Sequence, residues 1–160
     1  MDEKRYCYKY PHPAVTADCV IFGFDGVSIK VLLIQRGIDP FKGKWAIPGG
    51  FLGLDETLEE CARRELKEET GLDNVQVEQY ALVKIADVQG GDDASSAQWF
   101  SYKDIPALAF DHDHILREAL NYLKRKICFE PVGFDLLPEI FTMTELQNLY
   151  EAILDVKFDR

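Results

Sequence analysis

Residues 55–72 read DETLEECARRELKEETGL, a charged stretch that ends on a glycine. At roughly 100° per residue from Leu58, the residues Glu59, Glu60, Arg63, Arg64, Lys67 and Thr70 share one arc, which reads as a solvated face. Leu58, Cys61, Ala62 and Leu66 share the opposite side, and Glu65, Glu68 and Glu69 fall with them. Thr57 is the expected N-cap with Glu60 as its capping-box partner, and Gly71 the expected C-cap. Glu65 lies at i,i+3 and i,i+4 spacing from Glu68 and Glu69, so these like charges repel. At ~5 Å and an effective dielectric of ~20, each such pair costs on the order of 3 kcal/mol. Three carboxylates on the apolar side therefore call for a cation. Mg²⁺ or Mn²⁺ suits an all-oxygen donor set that leaves positions open for phosphates, whereas zinc prefers Cys and His.

The rest of the chain is read outward from this helix. Residues 14–24 and 28–35 are β-branched and apolar and are separated by a DGV turn, which predicts a hairpin of buried strands. Residues 36–50 are rich in Gly and Pro and read as loop, short strand and loop. Strands are expected over 74–88 and 97–102, with a loop at 90–96 and a turn at Pro106. A helix is expected over 111–126, with an apolar stripe of Leu116, Ala119, Leu120 and Leu123. Residues 128–141 read as an irregular linker with anchoring apolar residues. A further helix over 142–154 carries Leu146, Leu149, Tyr150, Ile153 and Leu154 on one face, with Thr144 and Gln147 as its capping-box pair. So strong an apolar face either packs back on the main domain or begins a second one.

The chain has 160 residues, 47% of them hydrophobic and 29% charged, which suits one globular domain with a short appendage. A net charge of −10 excludes nucleic-acid binding through a general basic field. The four cysteines, Cys7, Cys19, Cys61 and Cys128, form no C-x-x-C pair and read as reduced thiols of a cytoplasmic protein. The polar N-terminus reads as no signal peptide, and no apolar run approaches the roughly 20 residues of a membrane span.

From Gly50 to Leu72 the chain fits G-x5-E-x7-R-E-U-x-E-E-x-G-U, where U is a bulky aliphatic. The matching residues are Gly50, Glu56, Arg64, Glu65, Leu66, Glu68, Glu69, Gly71 and Leu72. This stretch, with its lead-in KWAIPGG, resembles the Nudix hydrolase superfamily. The resemblance implies an α/β/α sandwich with a mixed sheet and hydrolysis of a nucleoside diphosphate linked to another moiety. It implies that Glu65, Glu68, Glu69 and the Gly49 carbonyl hold Mg²⁺ or Mn²⁺. A base for the attacking water comes from these glutamates or from outside the box, and Arg64 and Glu56 orient the carboxylates. Arg36, Gly50 and Phe51 are candidates for substrate binding. Trp45 and Trp99 are candidate base-stacking residues better read as core, and His112 and His114 read as capping or packing residues. Asp87, Asp92 and Asp93 are candidates for an extra acidic group.

The runs AFDHDHILREAL and GFDLLPEIFTMTELQNLYEAIL are similar to Nudix-related transcriptional regulators, in which a winged helix follows a Nudix domain. This resemblance implies a Nudix domain over 1–127, a linker over 128–141 and the start of a truncated winged helix over 142–160. DNA binding then belongs to a form with a complete winged helix. It also implies an ADP-ribose-type ligand, a homodimer and no membrane partner. The stretch between Gly71 and Trp99 is shorter than such regulators usually have: either it is a real deletion, in which case one strand and one active-site loop are missing, or a segment is omitted from the sequence here. The preferred reading is a Mg²⁺-dependent pyrophosphohydrolase acting on a substrate such as ADP-ribose. The alternative is a ligand-sensing domain of a regulator that does not hydrolyse its effector efficiently.

Overall fold

A computed structural model describes residues 9, 13–73, 75–76 and 80–159. Cys7 and the polar N-terminal run lie outside the described residues, as do parts of the stretch 74–79. The predicted hairpin forms from β2 (Ile21–Phe24) and β3 (Ile29–Arg36), antiparallel with Phe24 opposite Ile29. Its turn is set by Asp25, whose Oδ1 accepts the N–H groups of Val27 and Ser28. β3 is the centre of a five-stranded mixed sheet. It pairs antiparallel with β4 (Trp45–Ala46) and β7 (Ala94–Ser101), while β2 pairs in parallel with β6 (Ala81–Leu82). The first expected strand divides, because β1 (Thr16–Asp18) leaves β2 to pair with β5 (Gly49–Phe51) in a separate two-stranded ribbon. The Cys19 N–H donates to the Pro48 carbonyl and fastens the junction.

Helices cover both faces of the sheet. α1 (Leu58–Thr70) buries Cys61, Ala62 and Leu66 against Ile21, Leu32 and Ala81. On the other face, α2 (His112–Lys126) buries Leu116, Leu120 and Leu123 in the larger core with Phe22, Val31 and Leu33. α3 (Met143–Leu154) adds Leu149 and Ile153, both fully buried, to that same core. Its apolar face thus packs back on the main body, and the intervening stretch anchors Leu136 and Leu137 there as well. The cap of α3 differs from expectation: Thr142, two residues before Thr144, accepts the Glu145 N–H, and Glu145 accepts the Thr142 N–H.

Two further expectations fail for tertiary reasons. The strand expected over 74–88 reduces to Ala81–Leu82 among the described residues. Beyond Val83, the chain is drawn to the C-terminal end of α1, where the Gln89 and Gly91 N–H groups donate to the Thr70 and Glu69 carbonyls. Trp99 Nε1 donates to the Ala86 carbonyl and holds the same stretch from the sheet side. β7 also begins three residues earlier than predicted, inside the expected loop. Among the described residues no helix is long and apolar enough to cross a membrane.

Gly91 comes so close to α1 that a Cβ on it would overlap the Glu68 carbonyl oxygen. Backbone cannot give way as a side-chain tip can. Gly91→Ala should destabilise the protein by about 1–3 kcal/mol, read as a lower melting temperature.

Candidate functional site

The capping box at Thr57 and the left-handed Gly71, with φ 77°, bound α1 as its sequence predicts. Glu56, one residue before the N-cap, accepts the Gly53 N–H at 2.7 Å. It also accepts both the Nε and Nη2 edges of Arg64, at 3.1 and 2.7 Å. The same Arg64 donates through Nη2 to the Phe51 carbonyl, and through Nη1 to Glu65 at 2.7 Å and Glu68 at 3.1 Å. Its helical position puts Arg64 on the solvated arc, yet it is the cation that lies among these carboxylates. The hydrogen bonds it donates to Glu56, then to Glu65, hold its proton more tightly still. Those from Arg64, with the Gly53 N–H, hold Glu56 down at about 2.

The three glutamates are not equivalent. Glu69 is 4% exposed, whereas the Glu65 side chain is 12% and the Glu68 side chain 45% exposed, so Glu68 does not share the buried face. Glu69 Oε2 accepts the Gly49 N–H at 2.9 Å, which ties α1 to the turn before β5. Burial pushes the Glu69 carboxyl up to about 7, with Glu65 and Asp93 adding to the rise and the Gly49 N–H and Arg36 opposing it. Thr70, expected in solvent, is 1% exposed because the 89–91 loop covers it, and its Oγ1 donates to the Leu66 carbonyl. Leu58, expected inside, is 55% exposed at the helix start.

Gly50 lies under Glu65 so closely that a Cβ there would overlap the carboxylate. The clash falls on a movable side-chain end, so Gly50→Ala should leave the melting temperature nearly unchanged. It should displace Glu65 and weaken Mg²⁺ binding roughly 10- to 100-fold, read by calorimetry. Equal binding at equal stability would remove Glu65 from the site.

Two charged residues outside α1, Arg36 and Asp93, act on Glu69. Asp93 is near enough to raise the Glu69 pKa, while Asp87 and Asp92 are exposed without such a role. Asp18 faces His112 across 3.9 Å from Oδ1 to Nε2, and burial holds its carboxyl above the usual range. His112 is buried, and its Nδ1 accepts the Ile47 N–H at 2.9 Å, so the ring is the Nε2–H tautomer; burial lowers its pKa. His114 stays exposed. Arg36 is half-buried, donates from Nε to the Pro40 carbonyl, and stands 5.0 Å over the ring of Phe110. Phe51 is 68% exposed, Trp45 packs edge-to-face on Phe100, and Trp99 packs against the smaller core. Cys19 and Cys61 are pushed by burial to about 12 and about 11, which leaves neither thiol nucleophilic at neutral pH.

A second signal missed in the sequence is backbone strain. Phe41 and Phe110 have φ of 65° and 54°, a conformation that bulky residues adopt only at a cost of about 1–3 kcal/mol. Single-residue patterns carry no trace of it.

The donor chemistry of the site fits a hard divalent ion. Glu65, Glu68 and Glu69 supply carboxylate oxygens, and the turn that binds Glu69 brings the Gly49 backbone beside them. Among the described residues no three His, Cys, Asp or Glu side chains converge closely enough to hold an ion as they stand. Arg64 Nη1 instead engages Glu65 and Glu68, each through a single contact, while Glu56 keeps the bidentate edge. A cavity of about 750 Å³ lies elsewhere, between α3 and the sheet edge at Ile29 and Tyr102.

Comparison with known proteins bears on the fold that carries these residues. The chain is 36% identical to the ADPR responsive transcriptional repressor NtrR of Acinetobacter baylyi, over 91% of this chain and 68% of the relative. That alignment runs over 170 positions against about 146 residues of this chain (91% of 160), so about two dozen of the relative's positions have no counterpart here. It is 38% identical to the ADP-ribose pyrophosphatase of Methanocaldococcus jannaschii, over 76% of this chain and 80% of the relative. A MutT/nudix family protein from Enterococcus faecalis superposes with a TM-score of 0.83 at 28% identity, covering 96% of this chain and 78% of that one. Residues 133–160 match the NrtR DNA-binding winged helix domain. Residues 12–121, which contain every carboxylate and glycine of the α1 site, match the NUDIX domain, and the chain belongs to the Nudix family.

Proposed function

We propose that this chain is a Mg²⁺- or Mn²⁺-dependent pyrophosphohydrolase that cleaves a nucleoside diphosphate derivative such as ADP-ribose. The observation that carries the reading is Glu69, a carboxylate 4% exposed and pushed up to about 7, with Glu65 beside it. A fold keeps so costly a group when a cation compensates it. In this reading Glu65, Glu68, Glu69 and the Gly49 carbonyl hold the ion. A bound divalent ion supplies charge neutralisation on the diphosphate and lowers the pKa of water. Glu68, the most exposed of the three, takes the proton of the attacking water. Water adds to one phosphorus, the bridging P–O bond breaks, and AMP and ribose 5-phosphate leave. Arg64 and Glu56 hold the carboxylates in place, while Arg36, Gly50 and Phe51 line the substrate side.

The same reading takes the protein as a cytoplasmic homodimer, with DNA contacts belonging to a form that carries a complete winged helix. A second reading, an ADP-ribose sensor, is supported by the winged-helix match at 133–160 and by the core that α3 shares with the Nudix body. Incubation with ADP-ribose and Mg²⁺ separates the two. Release of AMP is the expected result. No AMP, with a ligand-induced rise in melting temperature, would favour the sensor. Neither response would remove ADP-ribose as the ligand.

A further inference from the structure

The carboxylate site explains the chemistry but not what grips the rest of the molecule. Outside α1 stand Phe41 and Phe110, each 47% exposed although both are large and apolar. Both occupy left-handed backbone, and their rings meet edge-to-face at 4.7 Å. Phe110 is fixed from several sides: Arg36 lies 5.0 Å over its ring, and the buried His112 ring lies 5.3 Å away. Phe41 has Phe110 as its ring neighbour among the described residues and leaves about half of its surface to solvent.

Backbone hydrogen bonds tie this corner to the C-terminal end of α1. Arg36 ends β3, and the next residue, Gly37, donates its N–H to the Asp93 carbonyl at 2.7 Å. Two residues before Asp93, Gly91 donates to the carbonyl of Glu69. The field of Arg36 reaches the Glu69 carboxylate. A cation held over the exposed aromatic corner thus acts on the cluster of carboxylates. That arrangement matches a molecule with a planar base at one end and a diphosphate in the middle.

The geometry points to Phe41 as the surface on which the substrate's aromatic base stacks, with Phe110 as the positioning residue that holds Phe41 and Arg36 in place. Arg36 then faces the phosphate next to the base. The proposal rests on the nucleotide reading above and deepens it, since it assigns the base specificity to residues outside the α1 motif.

The test compares binding of AMP and of ribose 5-phosphate by calorimetry, both with Mg²⁺ present. Phe41→Ala should weaken AMP on the order of ten-fold, as loss of one base–aromatic stack does, and leave ribose 5-phosphate unchanged. Phe41→Trp should restore AMP binding. Phe110→Ala should weaken AMP in the same direction, with its melting temperature recorded to separate lost packing from lost stacking. Wild-type affinity for AMP in Phe41→Ala overturns the proposal, as does an equal loss for both ligands. If the wild-type chain hydrolyses ADP-ribose while Phe41→Ala behaves as wild type, this assignment alone fails. If the wild-type chain binds neither ADP-ribose nor AMP, the nucleotide reading fails and takes this one with it.

Discussion

Glu69→Gln should lower Mg²⁺-dependent release of AMP from ADP-ribose by roughly 10²- to 10³-fold, while the metal-free protein becomes more stable near pH 8. The two effects have one cause. Glutamine keeps an oxygen for the Gly49 N–H, so the link between α1 and the β5 turn survives. What disappears is a buried negative charge. In the metal-free wild type, burial raises the Glu69 carboxyl from 4.5 to about 7. Between those values the folded state keeps a proton that the unfolded state has lost, so stability falls as pH rises from about 4.5 to about 7. A shift of that size corresponds to at most about 3 kcal/mol. Melting curves of the metal-free wild type should therefore drop across this window, and those of the variant should drop less. Mg²⁺ should raise the wild-type melting temperature more than that of the variant. Unchanged turnover in Glu69→Gln would end the metal assignment.

Leu149→Ala should cost about 2–5 kcal/mol of folding stability, enough to remove much of the stability of an ordinary domain. Leu149 is fully buried, and it lies in the same core as Phe22, Leu33 and Leu120 of the Nudix body. Truncating it opens a void that touches the sheet as well as α3. A single melting transition should move to lower temperature as a whole. Separate transitions for α3 and for the sheet would show that the two are independent units.

Much of this molecule is legible in its residues. The spacing of Glu56, Arg64, Glu65, Glu68 and Glu69, together with the caps at Thr57 and Gly71, gives the helix and its end-points, because these are local features. The hairpin is legible for the same reason: the apolar runs and the Asp25 turn lie close together in the chain. What periodicity cannot give is which neighbour covers which face. Thr70 is buried because a loop twenty residues away closes over it, and Leu58 is exposed because nothing closes over the helix start. Arg64 belongs geometrically to the polar arc, but its length and forked head carry it back to Glu65 and Glu68. Asp18 and His112 are 94 positions apart, and only the pairing of β1 with β5 and the docking of α2 bring them together. The two-residue β6 is a further case, since its β-branched surroundings favour a longer strand that hydrogen bonds to α1 prevent.

The glycine beneath Glu65 has a consequence for timing. A free glutamate side chain loses up to roughly 1.5–2 kcal/mol of rotational freedom when it is held in one place. Here the chain backbone at Gly50 and the Arg64 guanidinium restrict Glu65 as soon as the protein folds. Part of that ordering precedes any ligand, but the carboxylates do not yet converge. Closing them on an ion must draw the Glu65 oxygen off the guanidinium, so the ion and Arg64 compete for the same oxygen.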